Sequence, residues 1–215
     1  MIYLLSTHPK EGTIHLPMIS FSIMEQCLAF DGYDMLMFTS KQAVMSADKL
    51  NPKWKELPCL AIGSATAKQI EALGGRVHYQ PKSFYGKTLS QDIVTKFSDK
   101  KILYLRPEEV SFDAKSFLRS QGICLDEKLI YKTHCVQHKD DEKPVLNAII
   151  VFTSPSTIHC FLKNFSWDKS YTAVVIGEAT KEHLPTNALY HVADMPLIDA
   201  CIAKAKEILL SSNSK

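Results

Sequence analysis

Phe38-Thr39-Ser40 recurs as Phe152-Thr153-Ser154, and Ile62-Gly63-Ser64-Ala65-Thr66 recurs as Ile176-Gly177-Glu178-Ala179-Thr180. Both repeats keep one offset of 114 positions, from 38 to 152 and from 63 to 177. Two matched motifs at a single spacing mark an internal duplication. A weaker third match, Leu16-Pro17-Met18-Ile19 with Ile130-Tyr131-Lys132-Thr133, holds the same register. Each strong motif closes a short apolar run: Met35–Thr39, Cys59–Ile62, Ala148–Thr153 and Ala173–Ile176. Runs that are apolar almost throughout are strands covered on both faces.

Working outward, Ile2–Leu5, Ile102–Leu105 and Leu125–Tyr131 read as further strands. Between them lie helical stretches: Lys41–Leu50, Ala65–Leu73, Leu89–Phe97, Phe112–Gln121, Ser156–Asn164, Glu178–Leu184 and Leu197–Leu210. Ala67, Ile70 and Leu73 recur at helical spacing, and Gly74-Gly75 supplies the stop. Pro196 fits the first turn of the last helix, whose Ile198, Ile202, Ala205 and Leu209 make one face. Strand–helix alternation predicts an α/β fold with parallel sheet. The duplication makes it two similar parallel-sheet α/β domains, with a cleft expected where they face each other.

The chain of 215 residues can bury a core without staples. Lys and Arg number 25 against 23 Asp and Glu, a net charge of +2 that argues against a dedicated nucleic-acid binder. Arg76, Arg106 and Arg119 are the only arginines, too few for bidentate base readout. No apolar stretch is long enough to span a membrane. Met1–Leu5 runs directly into Ser6 without the pattern of a secretory signal. Cys27, Cys59, Cys124, Cys135, Cys160 and Cys201 are scattered with no C-x-x-C. Most sit in apolar runs, so buried, reduced thiols in a cytoplasmic protein are expected. His134–Pro144 carries the cluster Lys139-Asp140-Asp141-Glu142-Lys143 and reads either as a linker between units or as a loop within one.

The repeated turns are where chemistry concentrates. Thr39 and Ser40, and Thr153, Ser154 and Ser156, place hydroxyls at helix starts, with Pro155 suited to a first helical position. Gly63, Ser64 and Thr66, and Gly177 and Thr180, sit at the other strand-to-helix turns. Taken singly, each turn reads as helix capping. As a set, four helix N-termini at strand carboxyl ends suit a ligand with several carboxylates or phosphates. None of the glycine turns is a G-x-G-x-x-G or a P-loop, and there is no G-x-S-x-G elbow. His134, Cys135 and His138 would share a metal only on a helix, and the segment reads as extended, so no metal site is expected. Tyr131, at a strand end, is either a proton or hydrogen-bond donor or a packed strand tyrosine. Arg106 is either a carboxylate clamp or an ordinary surface arginine.

In this order the pieces resemble the uroporphyrinogen-III synthase family. Those that match are Phe38–Val44, Ala61–Ala67, Tyr104-Leu105-Arg106, Leu129–Thr133, Phe152–Ser156 and Ile176–Thr180. Pro196 with the terminal helix matches too, so the likeness spans nearly the whole chain. It implies two α/β domains joined by two linker strands, one of residues 1–16 and 135–215, the other the inserted segment 17–134. It implies hydroxymethylbilane as substrate, cyclised and dehydrated with inversion of ring D through a spiro intermediate. Tyr131 would be the catalytic residue. Thr39, Ser40, Gly63, Ser64, Thr66, Arg106, Thr153, Ser154, Ser156, Gly177 and Thr180 would bind the substrate. No metal or organic cofactor, no nucleic acid and no membrane are implied, and the protein would be a monomer. Two departures stand out. Ser6–Leu16 is shorter than its counterpart Pro107–Leu129, so the family's first helix is expected to be missing. Arg106 is followed by Pro107 where many members have glycine. A two-domain cytosolic binding or sensing protein, or a transferase acting on a phosphorylated sugar, would share the architecture.

Overall fold

The computed structural model describes residues 1–83, 85–110 and 112–212. The first part of the chain forms β1 (Ile2–Leu4), β2 (Ile14–His15), β3 (Ile19–Ile23), β4 (Met35–Phe38), α1 (Lys41–Leu50), β5 (Pro58–Ala61), α2 (Ser64–Ala72), β6 (Arg76–Tyr79), α3 (Gly86–Lys96), β7 (Ile102–Pro107), α4 (Ala114–Ser120) and β8 (Leu125–Cys135). The remainder forms β9 (Ile149–Phe152), α5 (Pro155–Asn164), β10 (Thr172–Val175), α6 (Glu178–Lys181), β11 (Leu189–Val192) and α7 (Ile198–Ser212). These divide into two α/β units: Met1–Ser20 with His134–Lys215 (unit 1), and Phe21–Thr133 (unit 2). The chain passes from one to the other within β3 and returns within β8. The first crossing lies four residues beyond the expected 16/17 break. Pro17 and Met18 stay with unit 1 because Met18 N–H donates to Leu5 and its carbonyl accepts from Val136.

Unit 1 holds a sheet in the order β11-β10-β9-β1-β2, parallel throughout. One face buries Ile2, Leu4, Ile149, Val151 and Val174 against Cys201, Ile202 and Ala205 of α7. A turn and the two-residue β2 follow β1, with no helix between them. Unit 2 holds the sheet β3-β8-β7-β4-β5-β6. Its strands alternate strictly between two cores. Leu36, Phe38, Leu103 and Leu105 face α1, α2 and the fully buried Trp54. Met35, Met37, Ile102 and Tyr104 face Leu89, Ile93 and Leu118 of α3 and α4. Helices on both faces are why β4 and β7 show no polar alternation.

Three readings are corrected. The sequence showed β1, β4, β5, β7, β8, β9 and β10, but β2, β6 and β11 were not expected as strands, and the linker strand expected at the first crossing lies at β3; β6 and β11 are largely exposed sheet edges. Helix α6 stops at Lys181, and α4 begins at Ala114, where Asp113 caps it by accepting from Ser116 N–H at 3.0 Å. The cysteines are not all reduced: Cys135 and Cys160 form a disulfide, their Cα atoms 5.1 Å apart and within bridging range. Cys27 and Cys124 are exposed, while Cys59 and Cys201 are buried.

The charged segment after β8 is no free linker. His138 N–H donates to Asn164 Oδ1 at 2.8 Å, and His138 Nε2 lies 2.9 Å from the Pro17 carbonyl oxygen. Asn164 Nδ2 donates to the Val136 carbonyl at 2.9 Å. Together with the disulfide, these bonds tie the return crossing to α5.

Candidate active site

Strand β4 ends at Phe38, so Thr39 and Ser40 emerge at its carboxyl end, where ligands meet parallel sheets. Ser40 is extended and caps α1, accepting from Ala43 N–H at 3.0 Å. The same Ser40 hydroxyl lies 2.9 Å from the Tyr131 hydroxyl. Tyr131 is level with Pro107, at the carboxyl end of β7, and its ring meets Phe21 edge to face at 5.5 Å. The structure thus joins Ser40 to Tyr131, 91 residues apart in sequence. Strand β8 continues past Tyr131 to Cys135, so the residue is not at a strand end. Burial pushes the Tyr131 phenol above its ordinary value, and the bond to Ser40 works against that shift. Tyr131 therefore holds its proton at neutral pH.

A second tyrosine, not singled out in the sequence, mirrors the first. Tyr104 reaches the Thr39 hydroxyl at 2.7 Å from the opposite face of the sheet. Burial pushes its phenol up to about 12, opposed by the bond to Thr39 and by the Arg106 charge. Its position inside an all-apolar strand was the available signal, because a buried tyrosine hydroxyl needs a partner.

Arg106 lies at the end of β7, only 16% exposed. Its Nε donates to Glu127 Oε1 at 3.0 Å, and Nη1 donates to the Pro107 and Glu108 carbonyls, each at 3.0 Å. Three of its five N–H groups are therefore committed within the protein. Lys115 stands 3.7 Å from the other Glu127 oxygen. The guanidinium is a fixed charge rather than a free arm.

The four repeated turns are not equivalent. Ser40 and Ser154 cap their own helices; Ser154 and Thr157 form a reciprocal capping box behind Pro155. Gly63 and Gly177 cap α2 and α6 without any side-chain bond, so the first-turn N–H groups of α2 face no competing acceptor of that kind. Thr66 and Thr180 are buried and shape the turns from inside, whereas Ser64 is half-buried. Glu178 opens α6 and pairs with Lys181 at 2.9 Å, which places a negative charge where an anion would sit. Of the four, α2 offers the least obstructed positive end. Thr39, Ser40, Gly63, Ser64, Thr66, Arg106 and Tyr131 lie in unit 2; Thr153, Ser154, Ser156, Gly177 and Thr180 lie in unit 1. Among the described residues, no group of three His, Cys, Asp or Glu side chains could hold a metal, and no helix is long and apolar enough to cross a membrane.

Residues 11–203 match the family model described as uroporphyrinogen-III synthase HemD. The porphyrin biosynthesis protein HemD of Ruminiclostridium josui is 30% identical over 192 residues, covering 82% of this chain and 38% of the relative. Uroporphyrinogen-III synthase of Synechococcus elongatus is 26% identical over 150 residues, covering 64% of this chain and 56% of the relative. The matched segment is thus under two thirds of the length of either relative. The crystal structure of the Helicobacter pylori uroporphyrinogen-III synthetase superposes with a TM-score of 0.78 at 24% identity, covering 96% of this chain and 98% of that one. A mutant Thermus thermophilus uroporphyrinogen III synthase gives 0.61 at 13% identity, with 98% of each chain covered. At these identities the two structures speak for the fold.

Proposed function

This chain belongs to the uroporphyrinogen-III synthase family, and from that membership we propose that it converts hydroxymethylbilane to uroporphyrinogen III. The observation that carries the reading is the match along residues 11–203 of a chain whose Tyr131 phenol is protonated and held against Ser40.

The substrate is a flexible linear tetrapyrrole bearing carboxylates. Left alone it closes without inverting ring D, so the enzyme's task is to favour one closure geometry over another. The N–H groups opening α2, with Ser64, hold a carboxylate. Thr39, at the carboxyl end of β4, takes another. Arg106, pinned by Glu127, lends positive potential to the carboxylates near β7.

Tyr131 assists departure of the substrate hydroxyl. A phenol whose value is raised gives up its proton reluctantly, so Tyr131 acts by donating a strong hydrogen bond to the leaving oxygen. Water departs and leaves an azafulvene cation. The substituted carbon of ring D attacks it to form the spiro intermediate, which fragments and recloses as the type III isomer. Loss of a pyrrole proton balances the one taken by the leaving water. No metal or organic cofactor enters this scheme. The enzyme works as a cytoplasmic monomer.

The test is an assay with hydroxymethylbilane generated in situ and the oxidised products separated by isomer. Type III product in proportion to added protein is expected. Type I alone, with folded protein present, would overturn the reading.

A further inference from the structure

We propose that His159 and His183 form a binding site for a divalent transition-metal ion of the nickel, copper and zinc class. His159 Nε2 and His183 Nδ1 lie 3.1 Å apart, and the rings meet at 70° with centroids 5.0 Å apart. Both side chains are exposed, so an ion can reach them. Neither residue has a part in the proposed reaction, and the site does not depend on that reading.

The backbones beneath the pair are fixed. His159 lies in α5 between buried Ile158 and buried Cys160, the latter cross-linked to Cys135. His183 closes the turn after α6, its N–H donating to the Thr180 carbonyl at 3.2 Å. Two metal–nitrogen bonds of about 2.0–2.1 Å at a tetrahedral angle set the nitrogens roughly 3.3 Å apart. The observed separation is close to that, and both rings are exposed, leaving them room to turn toward a shared ion.

The chemistry favours an ion over a bare contact. With both rings neutral, one nitrogen donates its proton and the other accepts it. A metal takes the place of that shared proton. It takes a lone pair from each nitrogen while each ring keeps its own proton on the far nitrogen, Nδ1 of His159 and Nε2 of His183. Imidazole nitrogen suits nickel, copper and zinc. Among the described residues no third ligating side chain joins the pair, so water completes the shell and the site stays open. A bound ion would cross-link α5 to the segment after α6.

The experiment is a calorimetric titration with nickel chloride of untagged protein whose accessible thiols have been alkylated, which silences Cys27 and Cys124. Histidine ring-proton spectra are recorded alongside. We expect one equivalent to bind, with paramagnetic broadening of the His159 and His183 signals first. H159Q and H183Q should each weaken that binding by about tenfold or more. Both side chains are exposed, so circular dichroism should show both variants folded. Binding unchanged in both variants, or none in the parent protein, would overturn the proposal.

Discussion

The hydroxyls of Tyr131 and Ser40 lie 2.9 Å apart, and Ser40 at the same time accepts from Ala43 N–H. One serine thus fixes both the start of α1 and the orientation of a buried phenol. Replacing Tyr131 by Phe removes the hydroxyl and keeps the ring against Phe21. The turnover rate should fall about ten- to hundredfold, with more type I product and little change in melting temperature. Full rate and isomer purity in Y131F would make Tyr131 structural. Ser40→Ala should cost about 1 kcal/mol of stability through the lost cap.

Arg106 and Lys132 both pair with glutamate, but in different surroundings. The Arg106–Glu127 pair is 16% and 13% exposed, whereas Lys132–Glu108 is 38% and 48% exposed. Urea denaturation of Arg106→Leu should show a loss of about 2 kcal/mol, because a shielded carboxylate keeps only the more distant Lys115. Lys132→Ala should change stability by less than about 0.5 kcal/mol. Equal effects would contradict the assignment of Arg106 as a fixed charge.

Thiol chemistry should sort the cysteines into three pairs. Exposed Cys27 and Cys124 react with an aromatic disulfide reagent in the folded state. Cys59 and Cys201, each pushed up to about 12 by burial, wait for unfolding. Cys135 and Cys160 react only after reduction. Cys160→Ser, which opens a cross-link spanning 25 residues, should cost about 3 kcal/mol. Six thiols titrating without reductant would show that the bridge is absent in solution.

Adjacent glycines after α2 should respond differently to alanine. Gly75 has no room: an added Cβ would land on the Trp54 ring, fully buried in the core. Gly75→Ala should cost about 2–3 kcal/mol. Gly74 faces open space but has φ +85°, so Gly74→Ala costs about 1 kcal/mol of backbone strain. Thermal melts of the two variants should rank them in that order.

Alkaline stability should follow Tyr104. Its folded-state value, about 12, exceeds the ordinary 10.0, so its contribution is complete below pH 10. That contribution is lost as pH rises through 10 towards 12, because the unfolded chain releases the proton first. Absorbance of tyrosinate during a pH titration should show this late phenol, and Tyr104→Phe should flatten the fall in stability. An unchanged fall in Tyr104→Phe would assign it to other groups.

The central strands were legible because both of their faces are covered. Met35–Phe38 and Ile149–Phe152 are apolar at every position. Arg76–Tyr79 and Leu189–Val192 were not, since edge strands carry polar and exposed side chains and resemble loops. At the site, hydroxyls at helix starts gave Thr39, Ser40 and Ser154. Tyr104 and Glu127 escaped notice because their partners lie 65 and 21 residues away. Nothing in the spacing of Cys135 and Cys160 distinguishes them from the four free thiols.

Because β1 pairs with β9, the two ends of unit 1 are separated in the order of synthesis. On a ribosome, residues 21–133 are complete before β9 has been made. Ile2, Tyr3 and Leu4 must therefore wait for β9, with the two-residue β2 as their earlier strand neighbour, through the making of an entire neighbouring unit. They are apolar, and a nascent chain exposes them to wrong partners during that interval. Cys160 emerges later still, so its bond to Cys135 can close only after the first residues have a sheet to join.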